Sequence, residues 1–240
     1  LGIQVDILDE DKYGPNRLMV HGRGGKFTPP QEDIDCGNSG TTMRLLSGIL
    51  AGQKFTSALI GDDSLSQRPM QRIIEPLKLM GCEIIASGKN NSAPLRIHGA
   101  DLEAIRYELP IASAQVKSAI MLAGLFANGK TTVIEPLQTR DHTEKMLDFF
   151  QVKTIRSNDE ISIAGGQVLE SRDIIVPGDI SSAAFWFVSA AAFSGSKLTV
   201  KNVGLNPSRN GILKILTRMG SNVSESIDTS GNGEEIGNVS

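Results

Sequence analysis

Met80-Gly81-Cys82-Glu83-Ile84-Ile85, a polar stretch around Asn90-Asn91, and Pro94-Leu95-Arg96-Ile97-His98-Gly99 make a phrase that this chain writes more than once. An earlier version runs through Leu1-Gly2-Ile3-Gln4-Val5, a polar turn around Gly14-Pro15, and Arg17-Leu18-Met19-Val20-His21-Gly22. Met219-Gly220-Ser221-Asn222-Val223 begins it again. Two apolar, β-prone runs on either side of a polar turn predict short strands joined as a hairpin.

On either side of the phrase lies a larger repeat. Each copy starts with a small polar cluster that opens an apolar helix, Asn38-Ser39-Gly40, Ser113-Ala114-Gln115 or Ser181-Ser182-Ala183. A glycine turn follows, at Gly52, Gly129 or Gly195, and then a β-rich run, Lys54 to Ile60, Thr131 to Glu135 or Lys197 to Val203. An arginine comes next, Arg68, Arg140 or Arg209, and a second, amphipathic helix closes the unit. In these second helices Met70, Ile73, Ile74, Leu77 and Met80 share one face, as do Ile212, Ile215, Leu216 and Met219, so both stripes are expected in the core. Thr143 to Phe150 plays the same part, and Pro76 is expected to kink the first of the three. The first helices are apolar nearly all round, as in Ala119-Ile120-Met121-Leu122-Ala123, and should be buried on most sides. A period of roughly 70 residues is too long for the common solenoids and fits duplicated βαβαββ units, an α/β architecture with helices inside and sheets outside.

Composition narrows the function. The chain has 240 residues, a net charge of -3 and mixed signs along its length, which speaks against a nucleic-acid surface. Two cysteines, Cys36 and Cys82, make neither a disulfide framework nor a metal set and fit a reducing, cytoplasmic setting. Cys36 reads as a small buried thiol rather than a nucleophile, because no histidine is paired with it in sequence. No apolar run reaches the roughly 18 residues that a membrane span needs. The start, without an initiator methionine, reads as the middle of an element, and the polar tail from Gly231 reads as frayed.

The chemistry is expected at Asp35-Cys36-Gly37-Asn38-Ser39-Gly40-Thr41-Thr42-Met43-Arg44, which leads into the first apolar helix. Gly37 and Gly40 allow positive φ and close approach of a ligand, while Asn38, Ser39 or Thr41 can cap the helix. Free amides at a helix start favour an anion. Arg68 precedes Pro69, a favoured first helical residue, and Arg140 precedes Asp141-His142-Thr143-Glu144, in which Asp141 or Thr143 could cap and Asp141 would orient the arginine. Gly124-Leu125-Phe126-Ala127-Asn128-Gly129-Lys130-Thr131 spells a P-loop, but a helix precedes it and a strand follows, the reverse of what phosphate binding requires. Gly22-Arg23-Gly24-Gly25-Lys26 reads as a loop, Asp62-Asp63 as a solvated turn, and His21, His98 and His142 as supports. No carboxylate pair, Ser/His/Asp set or metal cluster is visible.

Asn38-Ser39-Gly40-Thr41-Thr42-Met43-Arg44, Gln67-Arg68-Pro69-Met70, Ser113-Ala114-Gln115-Val116-Lys117-Ser118-Ala119 and Arg140-Asp141-His142-Thr143-Glu144-Lys145-Met146-Leu147 together resemble the 5-enolpyruvylshikimate-3-phosphate synthase family. Val176-Pro177-Gly178-Asp179-Ile180-Ser181-Ser182-Ala183 is similar to that family's interdomain crossing. The resemblance implies the enolpyruvyl transferase fold, an inside-out α/β barrel, with residues 1–176 as an incomplete first domain and 177–240 as the first unit of a second. It also implies transfer of the enolpyruvyl group of phosphoenolpyruvate to the 5-hydroxyl of shikimate 3-phosphate, with release of phosphate, on the shikimate route to chorismate and the aromatic amino acids.

By this resemblance Gly40, Arg68 and Gln115 meet phosphoenolpyruvate, and Ser113, Ala114, Gln115 and Arg140 meet shikimate 3-phosphate. No cofactor or metal is implied, and a full-length enzyme would be a monomer. Gly40 matches the position where a bulkier residue would crowd the inhibitor glyphosate, which implies sensitivity. The family's opening lysine, serine and arginine and its later acid/base carboxylates have no counterparts between Leu1 and Ser240. The chain is thus expected to be an internal fragment without catalytic residues, inactive alone. The alternatives are an enolpyruvyl transferase acting on UDP-N-acetylglucosamine, against which the Arg140-Asp141-His142-Thr143-Glu144 run argues, and a non-catalytic anion-binding module.

Overall fold

The computed structural model describes residues 1–231 and 233–240, in two compact units: Leu1–Gln138 with Lys153–Leu169, and Thr139–Val152 with Glu170–Ser240. The first unit opens with the expected hairpin, β1 (Gln4–Asp11) antiparallel to β2 (Gly14–His21). Asp11 pairs with Gly14, so the reversal is made by Lys12 and Tyr13, and Gly14-Pro15 start the returning strand. His21 Nε2 lies 2.7 Å from Asp6 Oδ2 across the pair, a strand contact rather than a catalytic one.

The first full repeat is β3 (Ile34–Asp35), α1 (Gly40–Ala51), β4 (Thr56–Ile60), α2 (Gln71–Leu79), β5 (Glu83–Ala86) and β6 (Leu95–His98). Its sheet has the order β3-β4-β6-β5, with β3 parallel to β4 and the other pairs antiparallel. After β7 (Leu102–Glu103) come β8 (Arg106–Glu108), α3 (Ala114–Gly124), β9 (Ala127–Asn128), β10 (Lys130–Ile134), β11 (Thr154–Ser157) and β12 (Glu160–Ala164). Their sheet, β8-β10-β12-β11, repeats the first in order and in strand direction, and β7 and β9 form a short parallel pair beside it. The 70-residue period is therefore a period of topology.

Helices α1 and α3 occupy the interior of this unit, and the sheets pack on them. A Cβ on Gly48 would stand 2.2 Å from the carbonyl oxygen of Ala119, so the two backbones touch and only glycine fits. Met43, Leu50 and Ala51 of α1 and Val116, Ala119, Ile120, Met121 and Ala123 of α3 are buried around that contact. Helix α2 runs through Pro76 and buries Ile73, Ile74 and Leu77, with Met70 and Met80 buried at its ends, which is the stripe read from sequence. Helix α3 ends at Gly124 and the chain continues into β9 and β10, so the P-loop spelling lies at a helix C-terminus as expected. One buried ion pair had no sequence signal: Lys117 Nζ lies 3.0 Å from each carboxylate oxygen of Glu135, and both side chains are almost wholly buried.

The second unit contains α4 (His142–Phe149), α5 (Ile180–Ala192), β13 (Val200–Gly204), α6 (Gly211–Arg218), β14 (Glu225–Gly231) and β15 (Glu234–Val239). Gly178 bridges in parallel to Val203, and the sheet order β13-β15-β14 follows, the same arrangement with Gly178 standing where β3 and β8 stand in the other repeats. Ile180, Ala183 and Phe187 of α5 pack with Leu213 and Leu216 of α6 and with Val203, Leu205 and Val239.

Three sequence expectations are corrected in this unit. The buried face of α6 is Leu213 and Leu216 with Ile212 beside them, whereas Ile215 and Met219 are exposed, because the face turned to α5 is set by Leu213 rather than Ile215. Helix α5 is apolar all round yet buries one face only, leaving Phe185 and Trp186 exposed. The tail is not frayed from Glu234 onward, since β15 pairs with both β13 and β14 and buries Ile236 and Val239; Asn232, within the stretch read as frayed, lies outside the described residues. Among the described residues no helix is long and apolar enough to cross a membrane, and no group of three or more potential metal ligands occurs.

Candidate anion-binding site

Between β3 and α1 the chain makes a tight turn. The Gly37 amide donates to Asp35 Oδ1 at 2.8 Å, and Gly37 takes φ +53, a region glycine enters without a Cβ penalty. Ser39 is the cap among the three candidates, its Oγ accepting from the Thr42 amide at 3.1 Å and from the Thr42 hydroxyl at 2.8 Å. The amides of Gly40 and Thr41 precede the first intrahelical bond and face outward with the positive end of the helix dipole. Gly40 itself is helical, so the expected positive φ belongs to Gly37 alone. Gly40 contributes space: a Cβ there would lie 2.7 Å from Arg44 Nη1 and 3.4 Å from Arg68 Nη1.

Two guanidinium groups, those of Arg44 and Arg68, stand at this helix start, and the charge of Arg72 acts on Arg44 from the first turn of α2. Arg44 lies one turn into α1, on the face of Gly40 by its i+4 spacing. It is half-buried, and burial first, then the positive charges of Arg68 and Arg72, press its pKa down, though an arginine remains charged under such pressure. Arg44 Nη1 donates to Gln115 Oε1 at 2.9 Å, and Gln115 Nε2 donates to Thr41 Oγ1 at 2.6 Å, so this one amide ties the start of α3 to the start of α1. Ser113 caps α3 by accepting from the Val116 amide at 3.4 Å, with Ala114 as the first helical residue. Among the described residues none of Arg44, Arg68 and Arg72 pairs with a carboxylate. Like charges held together without counterions are stabilised by an incoming anion.

Arg68 is placed differently from the sequence expectation. Pro69 is not the first helical residue; a 3-10 turn, Leu65–Gln67, ends at Arg68, which is extended with φ -80 and ψ 126, as the residue before a proline must be. The Met70 amide is taken by Asn91 O at 3.0 Å, and α2 starts only at Gln71. Arg68 Nη2 donates to Asn38 Oδ1 at 2.8 Å and reaches Ser64 Oγ at 3.4 Å, while Asn38 Nδ2 donates to Asp62 Oδ2 at 2.7 Å. Asp62, read from sequence as a solvated turn, is thus joined to the site; its partner is 24 positions away, so spacing gave no sign of it. Arg44 and Arg72 had no assigned role either, although helical spacing made Arg44 findable.

Cys36 is buried beside this turn, and burial, then the charge of Asp35, raises its pKa; Cys82 is pushed up to about 12, again by burial first. Both thiols are therefore neutral at pH 8. Neither is expected to react with a disulfide reagent in the native protein and both are expected to react in urea; rapid native labelling of Cys36 would contradict its reading as a packed thiol.

In the second unit, Arg140 is exposed just before α4 and has no hydrogen bond or ion pair among the described residues. Asp141 holds the N-cap position of α4 without capping it and does not orient Arg140. It instead accepts from Asn206 Nδ2 at 2.8 Å and lies 3.5 Å from Lys145 Nζ. Burial alone would raise its pKa, but the Asn206 amide and the Lys145 charge outweigh that and leave it lowered. His142 Nδ1 lies 2.6 Å from Glu234 Oε1, a supporting contact as expected. At the third repeat Arg209 Nη2 donates to Asp179 Oδ1 at 3.0 Å and to the Ser181 hydroxyl, while Asp179 caps α5. There the arginine meets a built-in carboxylate where Arg68 meets the neutral Asn38.

Repeated βαβαββ units carrying unpaired guanidinium groups at an inner helix start belong to the enolpyruvyl transferase class of α/β protein. The family model described as EPSP synthase (3-phosphoshikimate 1-carboxyvinyltransferase) matches residues 1–237, and the chain belongs to that family. It is 49% identical over 234 residues to the 3-phosphoshikimate 1-carboxyvinyltransferase of Bacillus pumilus, covering 97% of this chain and 54% of the relative. With the Bacillus subtilis protein of the same name it shares 48% over 221 residues, 92% of this chain and 50% of the relative. A solved EPSP synthase from Acinetobacter baumannii superposes with a TM-score of 0.87 at 44% identity, over 99% of this chain and 53% of that one. The chain spans about half the length of the curated relatives it matches. Their shared name does not favour the nucleotide-sugar alternative.

Proposed function

We propose that this chain supplies the phosphoenolpyruvate cradle, and part of the shikimate 3-phosphate site, of an enzyme that transfers the 1-carboxyvinyl group of phosphoenolpyruvate to the 5-hydroxyl of shikimate 3-phosphate. In the addition step the 5-hydroxyl gives up its proton as its oxygen bonds to the enol carbon, and the methylene gains one proton to become a methyl. In the elimination step the bond from that carbon to the phosphate oxygen breaks, phosphate leaves, and the methyl loses one proton to restore the double bond. One observation carries the reading: Arg44 and Arg68 stand without carboxylate partners at the open start of α1, and Gln115 links that start to α3. In this assignment the backbone of Gly40 lies close to phosphoenolpyruvate, Arg68 holds its phosphate, Gln115 touches both substrates, and Ser113, Ala114 and Arg140 hold shikimate 3-phosphate. We assign no proton-transfer residue between Leu1 and Ser240 and no cofactor. Residues 1–176 are proposed as most of one domain and 177–240 as the first unit of another, in a cytoplasmic protein that is monomeric at full length and, with glycine at position 40, sensitive to glyphosate.

Calorimetric titration of shikimate 3-phosphate into the 240-residue chain tests the assignment. Saturable binding is expected, and Arg140→Ala should weaken it by at least about tenfold, the size of one charge-assisted hydrogen bond. Equal binding by wild type and variant would remove Arg140 from the site, and no binding by either would overturn the placing of a shikimate 3-phosphate site on these residues.

A further inference from the structure

Resting on the reading that Arg68 holds the phosphate of phosphoenolpyruvate, we propose that Asp62 is a positioning residue that aims the Arg68 guanidinium at the anion. An ionised carboxylate only accepts hydrogen bonds, so Asn38, 2.7 Å from Asp62 Oδ2, must present its NH2 to Asp62. That choice turns Asn38 Oδ1 toward Arg68, where it accepts from Nη2 at 2.8 Å. With Nη2 occupied by Asn38, Nη1 is left on the side of Gly40, 3.4 Å from where a Cβ would stand. The other half of Asp62 anchors it: Oδ1 accepts from the Leu65 amide at 2.7 Å, within the 3-10 turn that ends at Arg68, and the Asp62 amide donates to Gly37 O at 2.9 Å. One residue thereby joins the turn that carries Asn38 to the turn that carries Arg68. The bond from Asn38 first, then that from Leu65, holds the carboxyl of Asp62 below its ordinary pKa, which keeps it an acceptor at neutral pH.

Asp62→Asn separates the two halves of this role. The asparagine keeps an oxygen for the Leu65 amide but offers NH2 to Asn38, which must then rotate and turn its own NH2 toward Arg68. The test is titration of phosphoenolpyruvate, at saturating shikimate 3-phosphate, into wild type, Asp62→Asn, Arg68→Ala and the double variant, with the thermal midpoint of each. Asp62→Asn is expected to weaken phosphoenolpyruvate binding about tenfold with a midpoint within about 3 °C of wild type, and to have no further effect in the Arg68→Ala background. The same loss in both backgrounds, or a loss that tracks a fallen midpoint, would make Asp62 merely structural and overturn the proposal. If Arg68→Ala loses affinity while Asp62→Asn does not, the proposal fails and the reading of Arg68 stands. Wild-type affinity in Arg68→Ala, or no binding by wild type, would overturn the reading itself.

Discussion

Replacing Lys117 by alanine is expected to destabilise the protein by about 3 to 5 kcal/mol, the range found when one partner of a buried ion pair is removed. Lys117 is fully buried on α3, with its ammonium 3.0 Å from both oxygens of Glu135, just beyond β10. Arg156 Nη2, on β11, lies 3.6 Å from Glu135 Oε2, too long and too exposed to take over the ammonium's part. Removing the lysine leaves a carboxylate in a medium that solvates it poorly, together with a hole beside the inner helices. Urea denaturation should show the fall in stability, with a thermal midpoint lower by about 6 to 20 °C. The paired replacement Lys117→Met with Glu135→Leu should lose much less, because it removes both charges and refills the space. A loss from the pair as large as from Lys117→Ala would mean that packing, not the uncompensated charge, dominates.

Arg68→Ala is expected to weaken phosphoenolpyruvate binding by about 10- to 100-fold, the equivalent of one charge-assisted contact of about 1.5 to 3 kcal/mol. The variant should fold normally, since Arg68 is only partly buried and its partners, Asn38 and Ser64, remain accessible to water. Arg72→Ala should have a smaller effect, because Arg72 is exposed on the first turn of α2 and acts through its charge at longer range. Its contribution should shrink in high salt while that of Arg68 largely persists, as contact pairs are screened less than distant ones. Equal losses from the two variants would point to a diffuse positive field instead of a seated phosphate.

Much of this architecture could be read from residues because it rests on local patterns. The all-round apolarity of α3 and the 3.6-residue stripe of α2 are properties of contiguous sequence, and the repeated hairpin phrase reports a repeated sheet. A cap at one of Asn38, Ser39 and Thr41 and the false P-loop were likewise legible within one turn of chain, and the structure chose Ser39 as the cap. What escaped depended on partners far away in sequence. No local pattern marks Lys117 as half of a buried ion pair, because its partner Glu135 lies 18 positions on. Asp62 reads as a solvated turn until Asn38 reaches it, and Pro69 reads as a helix start until Asn91 claims the Met70 amide. Ile215 and Met219 satisfied the periodicity yet face outward, because a stripe shows that a face is apolar and not that something covers it.

The open start of α1, with the guanidinium groups of Arg44 and Arg68, is the proposed anion seat. The most direct measurement is a proton–nitrogen correlation NMR titration of the 240-residue chain with phosphoenolpyruvate at saturating shikimate 3-phosphate. An anion seat there predicts the largest perturbations at the Gly40 and Thr41 amides and at the Gln115 side-chain amide, all abolished by Arg68→Ala. Saturable shifts elsewhere with those three signals unmoved would contradict it.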